Sequence, residues 1–253
     1  MRIIADNIKQ KDLIESILKE LSLTYCKGLS LNYLNSIVVS GDLSKEVSGR
    51  YSKGEMYINR IYLNETMEKI HGIVFIPENV LKMDFVIQRF IDTIIHELYH
   101  CNAEFNMPRF HNYTYNEFSD DESLWKKCII HYWIECFVNY NSKKNSYLQN
   151  DELMDQITDI NWNIRSFYNS KNVYENMNRL IYISSYYVSL FIAYGYKNNY
   201  LNLINDKCIS QLYKNLITET IKLLIQNKYI DDYKELSEIN RLFREYYESL
   251  NIL

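Results

Sequence analysis

The chain has 253 residues, of which 47% are hydrophobic and 24% charged, and a formal net charge of -4. This is ordinary globular usage, enough for one large domain or two packed ones, and it excludes general disorder. No basic block is present, so the sequence offers no positive surface of the kind a nucleic-acid partner requires.

The opening residues, Met1-Arg2-Ile3-Ile4-Ala5-Asp6, soon meet Lys9, Lys11, Asp12 and Glu15. They form no continuous apolar stretch and carry no cleavage signature, so no signal peptide is expected. Residues 8–21 are predicted as an amphipathic helix, with Ile8, Leu13, Ile14, Ile17, Leu18 and Leu21 at core positions. Strands are predicted over 34–39, ending in Ile37-Val38-Val39, and over 56–63, with Met56, Ile58, Ile61 and Leu63 inward. A third covers Ile73-Val74-Phe75-Ile76 and is ended by Pro77. Gly28, Gly41, Gly49, Gly54, Gly72 and both prolines lie in the first half, and only Gly195 follows. Turn-rich structure is therefore expected early and long helices later.

Residues 83–101 carry a helical apolar pattern in which Ile91, Ile94, Ile95 and Leu98 bury one side. His96, Glu97 and His100 then look toward a cleft. Pro108 and the polar stretch through Asp120 break the pattern. Ser119 and Glu122 have capping-box spacing, so a second helix is predicted from Asp120 to about Tyr140. Further helices are predicted over about 150–168, 173–196, 206–227 and 231–249. The uncharged stretch from Leu180 to Tyr194 is short for a membrane span and is interrupted by Ser184, Ser185 and Ser189, so it is read as a buried helix. The expected fold class is α+β: a small N-terminal mixed sheet with the histidine-bearing helices at 1–145, then a mostly helical region at 146–253.

Cys26, Cys101, Cys128, Cys136 and Cys208 are odd in number and have no short spacing, which argues against a disulfide framework and for a reducing cytosol. Cys128 and Cys136 are expected to be small buried residues.

The run His96-Glu97-Leu98-Tyr99-His100 is an HExxH pattern. On a helix the two imidazoles share a face one turn apart and can each donate a ring nitrogen to one Zn2+ ion. Glu97 lies beside them as a base for a water on that ion. A catalytic site needs a third ligand from elsewhere. The best candidate is Glu135, an acid in the apolar run His131-Tyr132-Trp133-Ile134-Glu135-Cys136-Phe137-Val138-Asn139, where a carboxylate without a cation would be costly to bury. His131 is an alternative ligand. Asp92 and Asn139 are candidates to orient the ligand imidazoles. His111, Tyr113, Tyr115 and His131 are candidates to face a developing oxyanion.

These residues resemble the gluzincin metallopeptidases, which bind zinc through HExxH and a glutamate on a following helix. The family often has an acid four residues after that glutamate, whereas this chain has Asn139. The segment Thr93-Ile94-Ile95-His96-Glu97-Leu98-Tyr99-His100 also resembles the compact ImmA/IrrE-type metallopeptidases. The resemblance covers roughly residues 56–140 and implies hydrolysis of a peptide bond, with Glu97 as general base and His96, His100 and Glu135 as metal ligands. A peptide or protein substrate is expected, and no membrane partner. Two other functions fit the same residues: a catalytically silent, metal-stabilised interaction module, and an amidase acting on a small molecule or cell-wall fragment. An exposed strand at 56–63 would favour a peptide, because such an edge pairs with backbone groups.

Overall fold

The computed structural model describes residues 1–23, 29, 31–43, 49–70, 85–116, 120–143, 185, 211–226 and 229–251. The predicted strand at 73–76, the helix at 150–168 and, Ser185 apart, the helix at 173–196 lie outside the described residues. The architecture is α+β, an N-terminal mixed sheet followed by a largely helical region. The chain divides into two compact units: Met1–Phe105 with Asn145–Gln149, and Asn106–Lys144 with Asn150–Leu253.

In the first unit the order is β1 (Arg2–Ile4), α1 (Ile8–Leu23), β2 (Ser36–Ser40), β3 (Gly49–Ser52), β4 (Glu55–Asn59), α2 (Arg60–Ile70) and α3 (Phe85–Asn106). The sheet order is β1-β2-β4-β3. β1 and β4 run parallel to β2, through pairs such as Ile3 with Ile37 and Val39 with Ile58. β3 and β4 form an antiparallel hairpin, with Ser52 opposite Glu55. Its two turn residues, Lys53 and Gly54, both have positive φ (49° and 80°), the backbone that a two-residue hairpin matched to strand twist requires.

α1 starts where Asn7 Oδ1 accepts the Gln10 N–H, and the Gln10 side chain accepts the Asp6 N–H in return. Gln10 Nε2 also donates to Asn64 Oδ1 on α2, which satisfies a side chain that is 2% exposed. Ile14, Ile17 and Leu21 are buried as expected, but Ile8 is exposed. The strand expected over 56–63 stops at Asn59. There the Asn59 side chain accepts the Ile61 N–H and starts α2. Met56 and Ile58 point inward, Leu63 is buried from a helix rather than a strand, and Ile61 is exposed. β4 is also an inner strand; among the described strands β1 and β3 are the outermost.

The second unit contains α4 (Pro108–Thr114), α5 (Asp121–Lys143), α6 (Gln211–Gln226), a 3-10 turn (Tyr233–Leu236) and α7 (Ser237–Asn251). The stretch after Pro108, expected to be irregular, is itself helical, with Pro108 in the first turn. α5 is capped by Asp120, whose carboxylate accepts the Ser123 N–H at 2.8 Å; Ser119, half of the expected capping box, lies outside the described residues. That hydrogen bond holds the Asp120 carboxyl below its usual range. α6 buries Tyr213, Leu216, Ile217, Thr220, Ile221 and Leu224 at helical spacing. α7 begins later than predicted because Asp232 first caps the 3-10 turn. Ile239, Leu242, Phe243 and Tyr246 of α7 are buried, and Trp125 of α5 donates its indole N–H to Asn240 at 2.7 Å. No helix among the described residues is long and apolar enough to cross a membrane.

Candidate metal centre

α3 is helical because apolar residues recur on one side of it. Ile87, Phe90, Ile91, Ile94, Ile95 and Leu98 are each at most 2% exposed. This fixes the rotation of the helix and leaves His96 and His100 on a less buried face, one turn apart. Their Nε2 atoms are 3.1 Å apart, and the rings meet edge to face. Two imidazole nitrogens this close either share one proton in an N–H···N bond or aim both lone pairs at a common cation. In a tetrahedral site with metal–nitrogen bonds near 2.0–2.1 Å, the two nitrogens would stand about 3.3 Å apart, close to the spacing seen.

Glu135 supplies the third group. One ligand atom from each of His96, His100 and Glu135 lies within 4.8 Å of the others, which makes these three residues a cluster capable of holding a metal ion. All three are partly buried. Their donors, two imidazole nitrogens and a carboxylate oxygen, suit a borderline divalent ion. Glu135 is not a lone buried acid, however. His131, one turn earlier on α5, places Nε2 3.4 Å from Glu135 Oε1 and is itself half-exposed.

The neighbouring candidates fall out differently. Glu97 and Asp92 are both buried on α3, at 8% and 9% exposure. Asn139 donates its amide to the Glu135 carbonyl one turn back on its own helix. The Tyr113 hydroxyl is directed at the Ser123 carbonyl, 3.5 Å away, and Lys126 covers the ring. His111 is buried in α4 with its ring beside Tyr115. Cys128 and Cys136 are buried and outside any disulfide, as expected, and Cys101 is a buried thiol as well.

The sequence reading missed the strand beside Glu97. β3 runs along α3 in the same direction: Gly49 lies against Thr93 and Glu97, and Tyr51 donates its hydroxyl to Glu104. The same hydroxyl accepts the Gly54 N–H at 3.1 Å, tying the hairpin turn to the helix. Burial, and then the bond to Glu104, drives the Tyr51 phenol well above its ordinary pKa, so it remains a donor. Burial also pushes the Cys101 thiol up to about 11. The available signal was Lys53-Gly54 immediately before the 55–59 run, which marks a hairpin and therefore a preceding strand.

The chain matches no known protein-family pattern, no curated protein and no solved structure.

Proposed function

We propose that this chain is a zinc-dependent hydrolase that cleaves a peptide bond, with His96, His100 and Glu135 holding the ion and Glu97 as general base. The observation that carries this reading is the three-residue cluster, two of whose members flank Glu97 on one helix. A bound Zn2+ would supply Lewis acidity, lowering the pKa of a water and polarising a carbonyl. Glu97 takes the proton of the attacking water and passes it to the leaving nitrogen. Its low exposure keeps bulk water from competing for that proton.

An extended peptide is favoured over a small amide by β3, which is outermost among the described strands and borders Glu97 on α3. A sheet edge offers unpaired backbone N–H and C=O groups to an incoming chain. The resemblance of the His96–His100 segment and Glu135 to the gluzincins supports the same assignment.

A closed structural zinc site is the competing reading, favoured by His131 beside Glu135. The two separate cleanly. In the hydrolase, Glu97→Gln retains one zinc per chain by elemental analysis and loses at least about 100-fold in turnover of fluorescently labelled casein. His131→Ala retains the zinc. Loss of zinc on His131→Ala, together with an inactive wild-type chain, would establish the structural site instead.

A further inference from the structure

Gly49 is a glycine for want of space rather than for backbone freedom. Among the described residues, Gly54 is the glycine with positive φ, so the backbone at Gly49 is open to other residues. A Cβ built there would stand 3.0 Å from Thr93 Cγ2, 3.3 Å from the Tyr57 carbonyl oxygen and 3.6 Å from Glu97 Cγ. The first distance is well inside the optimum of about 3.5–4.0 Å between carbons. Neither close neighbour yields easily. Tyr57 O belongs to the inner strand β4, and the Thr93 rotamer is tied by a 2.9 Å hydrogen bond from its hydroxyl to the Arg89 carbonyl. Two residues on, Tyr51 holds the other end of β3 to Glu104.

We propose that Gly49 is a positioning residue for Glu97. The bare strand position lets β3 close onto α3 and confines the Glu97 side chain, placing its carboxylate for proton transfer. This rests on Glu97 being the general base. A methyl group at position 49 meets Thr93 and the Tyr57 carbonyl too closely and lifts the strand. Its contact with Glu97 Cγ is an ordinary one, so Glu97 shifts by losing the wall that β3 gives it. The three heavy atoms nearest that methyl belong to Thr93, Tyr57 and Glu97 and to neither histidine, so zinc binding is retained.

The test uses the full zinc-loaded chain as wild type, Gly49→Ala, Thr93→Ser and the double variant. Thr93→Ser removes the obstructing methyl while keeping the hydroxyl bond to Arg89. In Gly49→Ala, zinc stoichiometry by chelator competition is unchanged and crystallography shows the Glu97 carboxylate shifted. Turnover of labelled casein falls about tenfold in kcat with KM unchanged, because a sub-ångström misplacement of a reacting group is costly. The double variant recovers both the Glu97 position and kcat, and Thr93→Ser alone behaves as wild type. An unmoved Glu97 with wild-type kcat in Gly49→Ala overturns the proposal, as does a loss that Thr93→Ser fails to restore. A zinc-loaded wild-type chain silent on casein ends the hydrolase reading, while the displacement of Glu97 and its return still decide the positioning role.

Discussion

At the scale of single residues, two glycines of one hairpin do different work. Gly54 is needed for its backbone: at φ 80°, a Cβ would also meet Asn35 Nδ2 and the Tyr33 carbonyl, both at 2.6 Å. Its own carbonyl accepts the Asn35 N–H at 2.8 Å, so the turn cannot move away without losing that bond. Gly54→Ala is therefore expected to destabilise the chain by about 2–3 kcal/mol, as strain and a steric clash combine. Urea unfolding followed by circular dichroism measures it, and a loss below about 0.5 kcal/mol would contradict the turn geometry. Single residues are also where the sequence was most informative. The His96–His100 pair was legible because its one-turn spacing brings two imidazoles together, and Glu135 because an acid stood alone in an apolar run. The pairing of Glu135 with His131 was less legible, since i,i+4 spacing permits such a contact without requiring it.

At the scale of elements, helix ends explain much of what the sequence concealed. α4 has no side-chain cap from Met107, and its first free N–H groups, on Arg109 and Phe110, are satisfied by the Asp231 carboxylate at 3.1 and 2.9 Å. A cap more than a hundred residues away leaves no local trace, so 108–114 reads as broken chain. Asp231→Ala should cost about 1–2 kcal/mol, and Asp231→Asn less, since the amide oxygen still accepts while the charge favoured at a helix N-terminus is lost. In chemical denaturation, an Asp231→Asn variant as stable as wild type would remove the charge from this account, and losses equal to those of Asp231→Ala would remove the hydrogen bonds. The strand and helix that meet at Asn59 were merged because Ile58, Ile61 and Leu63 continue one apolar series across the junction. β3 was missed because Gly49-Arg50-Tyr51-Ser52 has no apolar alternation: it is held by its pairing with β4 and by the Tyr51–Glu104 bond, not by a buried stripe. By contrast α1 and α3 announced themselves through long period-3.6 patterns, and α5 through the capping spacing at its start, signals that need no distant partner to be read.

At the scale of the whole chain, buried ionisable groups set how stability responds to solution conditions, and a metal bound at the cluster would do so too. Burial pushes the Cys128 thiol from its ordinary 9.0 up to about 11. The neutral thiol is thus favoured in the folded chain, and its contribution is fully present below pH 9. Between pH 9 and 11 the unfolded chain releases a proton that the folded chain keeps, and stability falls by on the order of 2 kcal/mol. In urea midpoints taken from pH 8 to 11, Cys128→Ala should show a shallower alkaline decline than wild type; parallel curves would refute the assignment.

A metal held by His96, His100 and Glu135 would act in the opposite sense, because an ion that binds the folded chain alone stabilises it by mass action. At a hundredfold excess of zinc over its dissociation constant the gain is about 2.7 kcal/mol, or roughly 5–10 °C in Tm for a chain of this size. Adding a chelator should reverse the shift. His100→Ala should abolish it, because it leaves one imidazole of a pair whose nitrogens stand 3.1 Å apart. Glu97→Gln should retain the full shift, since Glu97 is outside the cluster of ligand atoms. A zinc-induced rise that survives in His100→Ala would place the ion elsewhere on the chain and remove the foundation of the hydrolase reading.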